Sequence, residues 1–211
     1  MNNKYTVYLF RHGITTANEQ KRYVGWTDVP LNETGRNMTL KTKQQLQGLL
    51  VNQVYASDLK RCIETAELLF PDQQVHEQFF LREMYFGKWE NQTFETLKNA
   101  SSYQRWVQSP FTLAPEEGED FSSFTLRVNK AWGKIKESML EKHFSNIAIV
   151  THGGVIRSLL QQLVASERTF FDWKIPYSMG YALSWNSREA IRRKERCTLL
   201  QEAPITERKN G

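Results

Sequence analysis

Cysteine is scarce in this chain: Cys62 and Cys197 are the only two in 211 residues. They lie far apart and in no CxxC spacing, which argues against a disulfide framework or a cysteine-built zinc site. Both are read as reduced structural thiols. Long apolar runs are also missing; none approaches the ~20 residues that a bilayer span needs, so no membrane partner is expected. Met1 to Thr6 carry neither the apolar stretch nor the small-residue cleavage site of a secretory signal, and the expected location is the cytoplasm. A strong excess of one charge is absent as well. The net charge of +5 rests partly on Arg192-Arg193-Lys194 and Arg208-Lys209, runs that read as a solvated face. Nucleic acid is therefore not an expected partner, and the remaining positive charge suits steering of a small anion into a cleft.

What is present is the make-up of a globular protein, 40% hydrophobic and 24% charged, with length enough for a full core. Tyr5–Phe10 reads as a strand. Asn32 is placed to cap a helix running from Glu33 to Leu50. Gln53–Ala56 reads as a strand, Leu59–Leu69 as a helix capped by Asp58, and Gln74–Glu77 as a brief strand. Phe121, Phe124, Val128, Ala131, Trp132, Ile135 and Met139 recur at helical spacing, so Glu119–His143 is predicted as an amphipathic helix. Asn146–Val150 is a buried strand and Val155–Val164 a helix. Ser178–Trp185 and Glu195–Gln201 read as two strands around a turn at Asn186-Ser187, and the last ten residues are expected to fray.

Between Leu81 and Gly118 the pattern loosens into aromatics mixed with polar residues. This stretch could cap a cleft or pack on the core. The alternation predicts an α/β fold: a three-layer αβα sandwich whose mostly parallel sheet carries helices on both faces and an antiparallel C-terminal edge. One domain over residues 1–211 is expected, with a helical or loop insertion at about 84–118.

Ligands of such sheets bind beyond the carboxyl ends of the strands, and three polar clusters fall there. Arg11-His12 follows the first strand, Ser57-Asp58 with Arg61 the second, and Thr151-His152 the Asn146–Val150 strand. A histidine beside a fixed cation is a poor metal ligand but suits an anionic substrate, so neither a metal nor another cofactor is expected. Helix N-termini after Ser57 and Gly153 would add N–H donors for that anion. Phosphoryl chemistry also needs an acid for the leaving oxygen. Glu83 is a candidate, and the residues alone do not select it over Glu77 or Glu90. His76 and His143 fall in no cluster and are read as structural or exposed.

Five blocks in fixed order now resemble the histidine phosphatase superfamily, in its phosphoglycerate mutase-like branch. They are Arg11-His12-Gly13 with Thr15 and Asn18, the loop from Gly25 to Leu31, Ser57 to Ala66, Leu81 to Glu90, and Val150 to Arg157. The resemblance implies a phosphohistidine on His12, with Arg11, Arg61 and His152 holding the phosphoryl oxygens and Glu83 as proton donor and then base. It also implies a pocket hydrogen bond from Asn18 and places Gly25 and Gly153 beside the phosphate. The substrate would be a small phosphorylated metabolite, no metal would be required, and the oligomeric state is not implied.

The superfamily holds mutases and phosphatases, and the departures here point to the latter. Mutases carry Arg-His-Tyr where this chain has Met84-Tyr85-Phe86, and Asn where it has Gly154. Their paired arginines for the substrate carboxylate have no counterpart in residues 91–118, where Arg105 stands alone. Val24 and Ile14 depart as well. Hydrolysis is therefore expected, with mutase activity or a catalytically silent phospho-ligand binder as the alternatives. The aromatics of Tyr85–Phe111 suit an uncharged, partly apolar leaving group.

Overall fold

The computed structural model describes residues 4–204. In chain order it forms β1 (Tyr5–Arg11), α1 (Thr16–Glu19), α2 (Glu33–Gln45), β2 (Gln53–Ala56), α3 (Lys60–Leu69), β3 (Val75–Glu77), α4 (Phe94–Leu97) and α5 (Ser101–Gln108). There follow α6 (Phe121–Glu141), β4 (Asn146–Thr151), α7 (Gly153–Leu163), β5 (Gly180–Trp185), α8 (Arg188–Arg192) and β6 (Leu199–Ala203). The strands form one sheet in the order β3-β2-β4-β1-β5-β6. β3, β2, β4 and β1 run parallel, and β5 is antiparallel to both β1 and β6.

Both faces of the sheet are covered, and the alternation along β1 shows how. Tyr5, Val7 and Leu9 join Ile147, Ile149 and Leu183 in a core under α6, α7 and α8. Phe10 points to the other face, with Val54, Ala56, Ala148 and Val150 against Cys62, Ala66 and Leu69 of α3. The period of two along a strand divides the apolar residues between two cores, and this gives the expected three layers. A third, smaller cluster belongs to the insertion: Trp89, Leu97 and Tyr103, with Tyr23, Phe86 and Trp106 packed around them.

Several element boundaries differ from expectation. α2 ends at Gln45 rather than Leu50, because the chain turns through Gly48 at φ +81°, where a glycine is unstrained. Asp58 does not cap α3. Its carboxylate takes Arg82 Nε and Nη2, both at 2.7 Å, a bidentate charged pair stronger than one cap bond. Asp28 caps from a distance instead, accepting the Lys60 N–H at 2.8 Å. The Glu195–Gln201 strand is displaced: Ser187 caps α8 through the Ala190 N–H, and the strand begins only at Leu199. Of the end expected to fray, Glu202 and Ala203 lie in β6 and residues 205–211 are outside the described range. Among the described residues no helix is long and apolar enough to cross a membrane.

Candidate active site

The sheet order brings the three polar clusters together. β4 lies between β1 and β2, with Arg11 in register with Thr151 and Ala56 with Val150. The residues that follow these strands therefore emerge side by side. The His12 N–H donates to Thr151 O at 2.9 Å and the Ser57 N–H to Val150 O at 3.0 Å, so backbone bonds carry the register past the strand ends. His12 and His152 consequently sit with ring centroids 5.1 Å apart, both buried.

His12 Nδ1 lies 2.7 Å from the Gly13 carbonyl oxygen. A carbonyl only accepts, so Nδ1 carries the proton and the lone pair is left on Nε2. Burial, then the guanidiniums of Arg61 and Arg11, hold His12 well below the usual imidazole range. The ring is therefore neutral at neutral pH and has a free nucleophilic nitrogen. Burial, then Arg61, His12 and Arg11, depress His152 in the same way. Its Nε2 lies 3.0 Å from Ser57 Oγ and 3.5 Å from Cys62 Sγ. Burial pushes the Cys62 thiol up to about 12, so this neighbour stays protonated.

Two guanidiniums frame the histidines. Arg61 is completely buried and donates from Nη1 to Thr27 O at 2.8 Å and from Nη2 to Gly25 O at 2.7 Å. Arg11 donates from Nη1 to Ile175 O at 2.7 Å, with its Cζ 3.7 Å from the Tyr177 ring centroid. On both arginines the Nε–H is buried and has no protein partner. A buried unpaired donor is costly, and two of them beside paired neutral imidazoles make a site built for an oxyanion.

Glu83 meets the first turn of α7, directly after His152. Its Oε2 accepts the Gly154 N–H at 2.9 Å and its Oε1 the Met84 N–H at 3.0 Å. A Cβ on residue 154 would stand 2.2 Å from Oε1, so a glycine there lets the carboxylate reach the helix. Arg127 Nη2 and Trp26 Nε1 hold the Glu83 carbonyl at 3.2 and 2.9 Å, and Glu119 holds Arg127 in turn.

The other two candidate acids separate clearly. Glu90 takes the N–H groups of Gly25, Trp26, Thr27 and Phe86 and the hydroxyl of Thr27. Glu77 is exposed at the end of β3. Among the described residues, Glu83 is therefore the candidate carboxylate held at the rim with capacity for another bond.

The remaining expected site residues take different positions. Asn18 Oδ1 accepts from the Thr15 N–H and hydroxyl, closing a capping box on α1, and only its amide NH₂ is left for a ligand. Gly25 has its N–H on Glu90 and its carbonyl on Arg61, so it bears on the site through Arg61. Gly153 opens α7, whose N-cap residue His152 makes no side-chain cap bond; Glu83 takes the Gly154 N–H, and the Gly153 N–H has no side-chain cap. The equivalent expectation after Ser57 fails, because α3 starts at Lys60 and its N–H is taken by Asp28.

Sequence reasoning missed Ser57 Oγ on His152, Tyr177 under Arg11, and Arg157. Arg157 donates from Nε to Trp173 O at 3.1 Å and lines a neighbouring cavity. Ser57 and Arg157 stood inside matched blocks, whereas Tyr177 did not. Among the described residues there is no group of three or more His, Cys, Asp or Glu side chains suited to a metal ion.

That cavity, of about 450 Å³, opens beside Glu83 and Gly154. Its walls are aromatic, with Phe86 and Trp106 from one side and Phe111, Phe121, Phe170 and Phe171 from another.

Two neutral histidines and two guanidiniums with unpartnered N–H groups thus meet beyond the carboxyl ends of parallel strands, an arrangement suited to phosphoryl transfer. Residues 7–194 match the histidine phosphatase superfamily (branch 1), and the chain belongs to that family. It is a phosphatase by activity class. It is 32% identical over 162 residues to the adenosylcobalamin/alpha-ribazole phosphatase of Escherichia coli (strain K12), covering 75% of this chain and 78% of the relative. Identity is also 32% over 173 residues to a broad-specificity phosphatase of Saccharomyces cerevisiae, covering 77% of this chain and 71% of that protein. The fold superposes on the crystal structure of the alpha-ribazole phosphatase from Shigella flexneri with a TM-score of 0.81. Identity there is 26%, and 96% of this chain and 98% of the other are covered.

Proposed function

We propose that this chain hydrolyses the phosphate ester of a small metabolite through a phosphohistidine on His12. The observation that carries the reading is the pair of buried, unpartnered Nε–H groups on Arg11 and Arg61 beside a neutral His12 whose Nε2 is free. Arg11, Arg61 and His152 hold the phosphoryl oxygens, aided by the Asn18 amide and the α7 N-terminus at Gly153, and balance the charge that spreads over them. Nε2 attacks phosphorus as the P–O bond to the alcohol breaks, and Glu83 gives its proton to the departing oxygen. Water then attacks the phosphohistidine, the P–N bond breaks, and Glu83 takes the water's proton.

Hydrolysis is preferred over mutase chemistry because the insertion offers no paired cations to retain a carboxylate-bearing intermediate. Arg105, its one arginine, is exposed on α5. The aromatic cavity beside Glu83 supports a partly apolar leaving group, with Arg157 as the one guanidinium along its wall. An alpha-ribazole phosphate, suggested by the names of the relatives, is the candidate substrate for such walls. The enzyme works in the cytoplasm, a setting that suits the free thiols of Cys62 and Cys197.

The test compares the wild type with His12→Ala on a chromogenic phosphate ester and on 3-phosphoglycerate plus 2,3-bisphosphoglycerate. Release of phosphate that falls by roughly 10³–10⁶-fold in the variant is expected. Isomerisation without phosphate release would make the chain a mutase, and inertness of the wild type a binding protein. A strong preference for small polyanions across an ester panel would overturn the apolar leaving group.

A further inference from the structure

The loop from Gly25 to Thr27 is held between an acid and a base that never touch. On one side its three N–H groups donate to Glu90, at 3.0 and 3.1 Å from Gly25, 3.0 Å from Trp26 and 3.1 Å from Thr27. The Thr27 hydroxyl and the Phe86 N–H complete the set at 2.5 and 3.1 Å. A carboxylate has about four lone-pair directions, so these donors leave Glu90 none for a substrate. On the other side the Gly25 and Thr27 carbonyls accept from the two Nη atoms of Arg61.

Arg61 depends on those two carbonyls. It is fully buried, and among the described residues no carboxylate lies within ion-pair distance of it. Its plane, and hence the aim of its unpartnered Nε–H, is set by where the Gly25 and Thr27 oxygens stand. The loop's N–H groups point at a carboxylate and its C=O groups at a guanidinium, so each bond polarises the next. Close approach at Gly25 is part of the arrangement: a Cβ there would meet Met84 O at 2.1 Å and Glu90 Oε1 at 2.5 Å.

We propose that Glu90 is a positioning residue for the phosphate-holding guanidinium of Arg61, acting through the backbone of residues 25–27. This rests on the reading of Arg61 as a phosphate ligand. It also gives Gly25 a role in orienting the cradle, in place of the direct phosphate contact the resemblance implies.

A double-mutant cycle decides the matter, using Glu90→Gln, Arg61→Lys and the pair, with kcat, KM, competitive inhibition by inorganic phosphate and Tm measured for each. Glu90→Gln keeps the shape but sets an NH₂ against N–H donors. Alone it is expected to weaken inorganic phosphate by ~10-fold and to lower kcat/KM by ~10–100-fold, the scale of a misplaced binding group. In the Arg61→Lys background the same change should cost less than about 2-fold, because nothing is left to aim. A loss of full size in both backgrounds, or unchanged phosphate inhibition, overturns the proposal.

Should Glu90→Gln fail to fold, Thr27→Val removes one donor from the clamp and is run through the same cycle. A smaller loss of phosphate affinity that vanishes beside Arg61→Lys supports the proposal; no loss, or one that persists there, overturns it. If Arg61→Lys alone leaves phosphate inhibition untouched, the phosphate-ligand reading of Arg61 fails, and the proposal with it.

Discussion

The phosphate cradle and the aromatic cavity share a wall at Glu83 and Gly154 but are built in opposite ways. In the cradle Arg11, His12 and His152 stand at neighbouring strand ends and Arg61 in the first turn of α3, and backbone bonds to Gly13, Gly25, Thr27 and Ile175 fix the polar atoms of His12, Arg61 and Arg11. The cavity is shaped by rings meeting rings, and part of that surface is open: Phe94, Phe111 and Phe171 are 53%, 47% and 60% exposed. A cradle fixed by backbone hydrogen bonds reads one geometry, that of a phosphoryl group in transfer. A cavity of loosely held rings reads shape and apolar area, and can fit more than one alcohol. Changes in the cradle should therefore alter kcat for every ester, while changes in the cavity should alter KM for some.

Glu83→Gln should give the largest effect at their shared wall. Loss of a proton donor costs ~10²–10⁴-fold in kcat where the leaving alcohol needs protonation. An ester of a nitrophenol, which leaves as its anion, should lose far less. Equal losses on both esters would mean that Glu83 holds structure and is not the acid. Gly154→Ala probes the same carboxylate from the other side. The clash is with the end of a flexible side chain, so Glu83 moves and the fold does not. We expect Tm to change little and kcat to fall by up to ~10²-fold, as for a catalytic group displaced by about an ångström. Combined with Glu83→Gln, the glycine change should add almost nothing.

Phe111→Ala tests the cavity alone. Its ring centroid lies 4.7 Å from that of Phe121, 6.0 Å from Phe170 and 5.4 Å from Phe171. An aromatic contact of this kind is worth ~0.5–1.5 kcal/mol beyond its area. KM for a naphthyl ester should rise by ~3–10-fold, while kcat and inhibition by inorganic phosphate stay put. A fall in kcat for a glycerol phosphate as well would join the cavity to the cradle and erase the distinction.

The two regions also differed in how far the sequence disclosed them. Arg11, His12, Arg61 and His152 end or follow short runs of β-formers that read as strands, and once β4 stands between β1 and β2 their convergence is forced. Glu83 lies in an irregular stretch, so residue type alone left it level with Glu77 and Glu90. What separates them is a set of N–H donors that only the folded chain assembles. The cavity was less legible still: Tyr23, the neighbouring Phe111 and Phe121, and Phe170 come from three distant stretches, and ring-to-ring packing leaves no periodic signature. The helix-cap error at Asp58 has the same origin, since Arg82 is a stronger partner that no local rule reveals.

The smallest expected effect concerns stability, and it too should divide cradle from cavity. Burial, then the neighbouring charges, hold His12 and His152 below the imidazole value of about 6.5 that the unfolded chain retains. Just below that pH the unfolded state binds more protons than the folded one, so unfolding free energy rises with pH and is lost as pH falls through this window. Each histidine contributes at most about 1.4 kcal/mol per pH unit. Urea titrations between about pH 5 and 8, above the range where most carboxylates titrate, should show this slope below about pH 6.5 in the wild type. His12→Asn should reduce it, and Phe111→Ala should leave it unchanged. An identical slope in His12→Asn would mean that the cradle does not depress His12, and the neutrality of the nucleophile would rest on the ordinary titration of an imidazole alone.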